Sequence, residues 1–239
     1  MSETKHRVER AIIVAAGIGK RLQPVTLTTP KPLVSVNGVR MIDTIVEALH
    51  ANGIYEIYVV VGYLKEQFHE WAKSYDGIEL IENPWYNECN NISSLYSARE
   101  HLKNAIVLDG DQFISNPEIL HPDFTRSGYS CVWTAEETPE WLLTVEDGIV
   151  TKCSRTGGCR GWQLYSVSRW TEEDGQRLSA QLELEFVRNK NRDIYWDDVA
   201  LFCHPEDYSL TVYPIRSGDL REIDSFAELC ELDPTYKTL

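Results

Sequence analysis

With 239 residues, 43% of them hydrophobic and 25% charged, the chain has the size and composition of a globular protein with a sizeable core. A formal net charge of -14 and the lack of a long basic block argue against a nucleic-acid partner, whereas a cationic ligand would gain from the acidic field. No apolar run approaches the ~20 residues of a membrane span, so no membrane insertion is expected, and the polar start MSETKHRVER has no apolar signal-peptide core.

Strands and helices then alternate. RAIIVAA (10–16) is apolar on both faces, as buried parallel strands are. MIDTIVEALHANG (41–53) places Met41, Ile42, Ile45, Val46 and Leu49 on one helical stripe before an Asn-Gly stop. IYEIYVVVGY (54–63) predicts a second strand, LKEQFHEWAKSY (64–75) a helix, IELIEN (78–83) a third strand and ISSLYSARE (92–100) a helix. AIVLDGDQF (105–113) predicts a fourth strand that stops at two aspartates. This rhythm indicates a doubly wound α/β fold around a mixed, mostly parallel sheet.

From about residue 128 the pattern changes. SCVWTAE (130–136), WLLTVEDGIVTKCS (141–154) and RGWQLYSV (160–167) read as strands joined by turns such as Asp147-Gly148, which favour antiparallel pairing. Helices are expected over TEEDGQRLSAQLELEFVRNK (171–190) and DDVALFCH (197–204), a strand over SLTVYPI (209–215), and a closing helix over DSFAELCELDP (224–234) that Asp224 could cap. With no repeat and no linker, one domain over 1–239 is expected, with a first half over 1–127 and a small antiparallel β-rich second half over 128–239. The six cysteines form no CxxC pair and read as reduced thiols, which points to the cytoplasm.

The stretch AAGIGKRLQPVTLTTPKPL (15–33) is a phosphate-binding candidate. The dinucleotide fingerprint fails because Leu22 stands where its third glycine belongs. The P-loop fails because Val14 replaces its first glycine and Arg21 its hydroxyl residue. A third device remains. The turn through Ala15, Ala16, Gly17 and Gly19 exposes backbone N–H groups to a triphosphate. Lys20 and Arg21 follow, Arg21 able to grip phosphate bidentately, and Lys31 is a point charge stiffened between Pro30 and Pro32.

The pattern G-x-G-x-R-L-x-P followed by PKPL resembles that of the nucleotidyltransferases that make nucleotide-diphosphate sugars and alcohols. VVVGYLKEQF, NECNNISSLYSA, VLDGDQF, EWLL, DIYWDDV and REIDSF resemble, in that order, segments of the bacterial CTP:phosphocholine cytidylyltransferases. The resemblance implies a Rossmann-like nucleotidyltransferase fold without a C-terminal β-helix, CTP and phosphocholine as substrates, and Mg2+ as cofactor. It places Arg21, Lys31 and Asp111 in catalysis and gives the metal to Asp111 and Asp224. Asn90, Asn91 and Ser94 fall in the family's cytosine-contacting segment, although an Asn pair before a helix is also a cap and turn signal.

Asp109 and Asp111 end a buried strand, where ligands bind in open α/β sheets, and would share a face if the strand ran through Gly110. Asp109 then belongs either to the nucleotide site or to the loop as a structural carboxylate, and Asp224 either to the metal or to the helix cap. Without an activated nucleophile, direct in-line transfer to the α-phosphorus is expected, and His69, His101, His121 and His204 show no acid-base partner.

For the second substrate, Trp141 follows Glu136, Glu137 and Glu140, and Tyr195 and Trp196 stand beside Asp193, Asp197 and Asp198. A quaternary ammonium donates no N–H, so aromatic faces and carboxylates hold it. Trp141, Tyr195 and Trp196 are therefore expected as cage walls and Asp197 or Asp198 as the anion, with core packing the competing role for each tryptophan. Trp85 and Trp162 rank behind them, and Arg155 or Arg160 could meet the acceptor phosphate. The expected activity is CTP plus phosphocholine to CDP-choline and pyrophosphate. The alternatives are a 2-aminoethylphosphonate or sugar-1-phosphate acceptor, or a non-catalytic nucleotide sensor; a homodimer is left open.

Overall fold

The computed structural model describes residues 4–238. Its first half contains β1 (Arg10–Val14), α1 (Met41–Ala51), β2 (Glu56–Val61), α2 (Lys65–Trp71), β3 (Ile78–Glu82), α3 (Ile92–Ser97) and β4 (Ala105–Asp109). β1 pairs in parallel with β2 and β4, and β2 with β3, giving the order β3-β2-β1-β4. Alternation along β1 explains why both faces carry helices. Ala11 and Ile13 pack with Ile42, Ile45, Phe68 and Trp71 of α1 and α2, while Ile12 packs with Ile92 and Leu95 of α3. The chain winds outward from β1 to β3 and returns at β4, which leaves a crevice beyond the ends of β1 and β4.

The second half adds β5 (Gln112–Ile114), β6 (Gly128–Thr134), β7 (Leu142–Glu146), β8 (Ile149–Ser154), β9 (Gly161–Trp170), α4 (Glu172–Glu183), β10 (Thr211–Pro214), β11 (Leu220–Glu222) and α5 (Phe226–Leu232). β9 runs antiparallel to β4 and extends one sheet to nine strands. The β7–β8 hairpin turns at Asp147-Gly148, both at positive φ (49 and 79), as a tight two-residue turn requires. β10 departs from the antiparallel expectation and pairs in parallel with β6. The helical segment between β9 and β10 supplies part of the long crossover that a parallel pair needs.

Two local readings are corrected, and a third, the helix over DDVALFCH, holds with a different hydrogen-bond pattern. AIVLDGDQF is not one strand: β4 ends at Asp109, and β5 pairs with β11 instead of the main sheet. The break falls at Gly110, whose N–H donates to Val14 O at 2.8 Å and where a Cβ would stand 3.1 Å from Ala15 Cβ and Pro32 Cγ. DDVALFCH forms a π-helical turn over Val199–Cys203, matching the π-helical end of α4 at Leu184–Arg188. The cap of α5 is Ser225, whose Oγ accepts from Glu228 N–H while the Glu228 carboxylate accepts from Ser225 N–H, a reciprocal capping box that leaves Asp224 free of the role.

His204 does have a carboxylate partner, buried Glu185 at 2.9 Å, and this pair lines neither site cavity described below. Among the described residues, no helix is long and apolar enough to cross a membrane. All six cysteines are free thiols, Cys131 and Cys230 being buried.

Candidate active site

The glycine loop leaves β1 with Ala15 N–H bonded to Val60 O (2.9 Å) and Ala16 O accepting from Tyr63 N–H (3.1 Å). Gly19 turns at φ 66 into a short 3-10 turn, Lys20–Leu22, and the Thr26 hydroxyl locks its carbonyl at 2.8 Å. Leu22, which breaks the dinucleotide fingerprint, is fully buried in a third apolar cluster with Val34, Met41, Ile223 and Leu229. It pins the loop to α5, a helix far along the sequence. Gly17 differs from Gly19: its φ is not positive, and a Cβ would meet no protein atom within 4 Å. Nothing in the protein itself requires glycine at position 17.

Two charges from the loop converge on acids distant in sequence. Lys31 Nζ donates to Asp111 Oδ2 at 2.5 Å and to Asp224 Oδ1 at 2.9 Å, and Arg21 Nη2 reaches the same Asp224 oxygen at 3.0 Å. Burial opposes the Lys31 charge, but Asp111 and Asp224 outweigh it and hold the ammonium above the ordinary lysine range. Ala15, Ala16, Gly17, Gly19, Lys20, Arg21, Lys31, Asn90, Asn91, Ser94, Asp109, Asp111 and Asp224 all line one cavity of about 410 Å³ at the sheet crevice.

Sequence reasoning missed Asn83, Tyr86 and Ser93 on its wall. Buried Asn83 donates to the hydroxyls of Ser93 and Ser94 (2.9 and 3.0 Å) and fixes the start of α3. Tyr86 packs so closely on Gly62 that a Cβ there would lie 2.6 Å from its ring. Gly62, directly after a strand, was the available signal.

A second cavity of about 190 Å³ is lined by Trp141, Tyr195, Asp197, Glu140, Glu222, Ser166 and Leu164, and shares Asn91 and Asp109 with the first. The Trp141 and Tyr195 rings stand 5.7 Å apart at 87°, forming two perpendicular walls. Trp196 is not a third. It is fully buried, with Tyr129 and Trp170 at 6.3 and 6.4 Å, and belongs to the core. Asp198 is also outside the cavity, held by Arg155 and by Tyr195 N–H (2.8 Å). Neither Arg155 nor Arg160 lines either cavity, nor does Trp162, while Trp85 packs against Tyr96 and Phe186.

Sequence reasoning also missed Glu222 and Ser166. Glu222 stands two residues before Asp224 in REIDSF, but no local pattern marks it as part of a cavity wall.

Three acids of this cavity are perturbed: Asp109, Glu222 and Asp197. Burial pushes Asp109 well above the carboxylate range, and the charges of Asp111 and Asp197 push the same way. Burial, then the Asp111 charge, lifts Glu222 to about 8. Burial, with Asp198 adding and the Tyr129 hydroxyl opposing, lifts Asp197 to about 8. Such crowding of buried acids in a cleft marks a functional site, and a cation placed among them would be strongly held. Asn91 lines both cavities; its Oδ1 accepts from the Trp196 backbone N–H at 2.9 Å, and Asn90 Nδ2 donates to Asp193 O at 3.1 Å.

One cavity lined by the glycine loop with Lys20, Arg21 and Lys31, and a second lined by rings and acids, share Asn91 and Asp109, and two adjoining ligand sites are what a nucleotidyltransferase requires. Residues 11–160 match the MobA-like NTP transferase domain, and the chain belongs to that family. It is 37% identical to the 2-aminoethylphosphonate cytidylyltransferase of Lancefieldella rimae over 95% of this chain and 92% of that one. It is 33% identical to the choline-phosphate cytidylyltransferase of Streptococcus pneumoniae over 95% and 98% of the two chains. The solved CTP:phosphocholine cytidylyltransferase from S. pneumoniae superposes with a TM-score of 0.86, at 33% identity, covering 96% of this chain and 99% of that one. The inositol-1-phosphate CTP transferase from T. maritima shares the fold, with a TM-score of 0.76 at 19% identity over 98% and 96% of the two chains. The family, the α/β class and the nucleotidyltransferase activity expected from the sequence all hold.

Proposed function

We propose that the chain transfers the cytidylyl group of CTP to phosphocholine, forming CDP-choline and pyrophosphate. The observation that carries the acceptor is the pair of perpendicular walls, Trp141 and Tyr195, above the Asp197, Glu140 and Glu222 carboxylates. A quaternary ammonium has no N–H to donate and gains from aromatic faces and from carboxyl groups that its own charge helps to ionise. The identity to cytidylyltransferases over almost the whole chain supports CTP as the donor.

In this reading the triphosphate lies along Ala15 to Gly19, with Arg21 and Lys31 neutralising its oxygens and those of the acceptor. An oxygen of the acceptor phosphate attacks the α-phosphorus in line. The new P–O bond forms as the bond to the bridging oxygen of the β-phosphate breaks, and that electron pair leaves with pyrophosphate. The chemistry needs no covalent enzyme intermediate.

Asp111 and Asp224 fit a magnesium ion: they are all-oxygen donors on the cavity wall and already converge on a single cation, Lys31 Nζ. When bound, the ion supplies further neutralisation of phosphate charge.

A second acceptor, 2-aminoethylphosphonate, is favoured by one feature: Asp109 Oδ1, buried beside the second cavity, has no hydrogen-bond donor. A primary ammonium could donate to it; a quaternary one could not. Initial rates of pyrophosphate release with CTP, UTP, ATP and GTP, each with phosphocholine, test the donor. CTP should be fastest; a faster rate with another triphosphate would overturn the assignment.

A further inference from the structure

Arg155 lines neither cavity, yet it bears on both aromatic walls from behind. Its Nε donates to Asp198 Oδ1 at 2.9 Å, and Nη2 reaches the same oxygen at 2.5 Å. The other Asp198 oxygen accepts from Tyr195 N–H at 2.8 Å. The guanidinium carbon lies 3.8 Å from the Phe202 ring centroid and 5.7 Å from that of Trp141. Trp141 meets Phe202 edge-on at 90° and Tyr195 at 87°. One planar cation thus contacts the Trp141 wall through its ring and positions the Tyr195 wall through Asp198.

The backbone holds Arg155 in place independently of its side chain. Thr138 and Gly158 exchange two backbone hydrogen bonds of 2.9 Å, and a Cβ at Gly157 would lie 1.8 Å from Thr138 O. The loop that follows β8 is therefore pressed against the segment leading to Glu140 and Trp141.

We propose that Arg155 is a specificity-determining positioning residue, which sets the separation of Trp141 and Tyr195 and so favours a trimethylated ammonium over a primary one. The proposal rests on the cationic-acceptor reading above. A bulky methylated head is held by contact with fixed ring faces, so slack between the walls weakens it. A primary ammonium is held by hydrogen bonds to carboxylates and depends less on the spacing of the rings. Lysine could keep the ion pair with Asp198 but not the planar stack on Phe202.

The test measures kcat and KM for phosphocholine, phosphoethanolamine and CTP in wild type, Arg155→Ala and Arg155→Lys. Arg155→Ala should raise the phosphocholine KM about tenfold or more, change the phosphoethanolamine KM less than about threefold and keep the CTP KM within about twofold. Arg155→Lys should recover part of the loss. An unchanged phosphocholine KM in Arg155→Ala, or an equal rise for CTP and both acceptors, would overturn the role. Failure of the wild type to use either amine would instead remove the acceptor reading, and this inference with it.

Discussion

Lys31 Nζ lies 2.9 Å from Asp224 Oδ1, a contact between residues 193 positions apart in the chain. The lysine leaves the glycine loop side of the sheet, and the aspartate precedes the last helix. Their pairing, with Asp111 as third member, puts two carboxylates and an ammonium on the wall of the first cavity, the proposed nucleotide site.

Asp224 and Ser225 should separate function from stability. Asp224→Asn is expected to lower kcat about 10²–10³-fold, with a stability loss limited because Asp111 still pairs the buried Lys31. Ser225→Ala should remove about 1 kcal/mol of stability by loss of the cap and leave kcat near wild type. Steady-state kinetics and urea unfolding of the two variants check the pair, and chelation should abolish activity until magnesium is restored.

Gly17→Ala tests whether the loop holds a ligand close to its backbone. Because a Cβ meets no protein atom there, stability should be unchanged, while the CTP KM should rise about tenfold. Melting curves and CTP saturation curves measure both; a normal CTP KM would place the phosphates elsewhere.

Trp141 and Trp196 should behave oppositely. Trp141→Ala should raise the acceptor KM at least about tenfold without unfolding the protein. Trp196→Ala removes a fully buried side chain packed between Tyr129 and Trp170 and should cost about 3–5 kcal/mol. Denaturant titration beside acceptor saturation curves distinguishes them.

Asp197 predicts a pH dependence. Its folded value, about 8, is above the unfolded one, so the folded state holds more protons between the two values. Stability therefore falls as pH rises through that window. A cationic acceptor needs the ionised carboxylate, so its binding should tighten from about pH 6 to about pH 8 and release a proton near neutrality. Titration of the acceptor's own phosphate, and of Glu222 and Asp109 in the same cavity, is common to wild type and Asp197→Asn; the wild type should show the steeper slope in KM against pH and the larger buffer-dependent heat of binding.

What could be read from the chain depended on how locally each feature is encoded. The loop from Ala15 to Leu33 was legible because glycines, cations and prolines act on neighbouring backbone. Its convergence with Asp224 was not, since Arg21 and that aspartate are 203 residues apart. Short continuous apolar runs marked β1 to β4 but hid the break at Gly110, which is imposed by Val14, Ala15 and Pro32 from other segments. Trp141 and Trp196 both follow one another's kind of neighbourhood, a tryptophan beside acids. Only tertiary packing puts the first on a cavity wall and the second in the core. The capping role of Ser225, by contrast, was available locally in Ser225-x-x-Glu228 and was overlooked in favour of Asp224.

The most direct measurement is kcat/KM for phosphocholine, 2-aminoethylphosphonate and glucose 1-phosphate as acceptors, followed by pyrophosphate release with CTP and magnesium. Phosphocholine should be used best, the aminophosphonate second, and the sugar phosphate at least about 10³-fold less well, because a neutral sugar brings no positive charge to the pocket's rings and acids. Fastest turnover with glucose 1-phosphate, or no pyrophosphate with any of the three, would contradict this account.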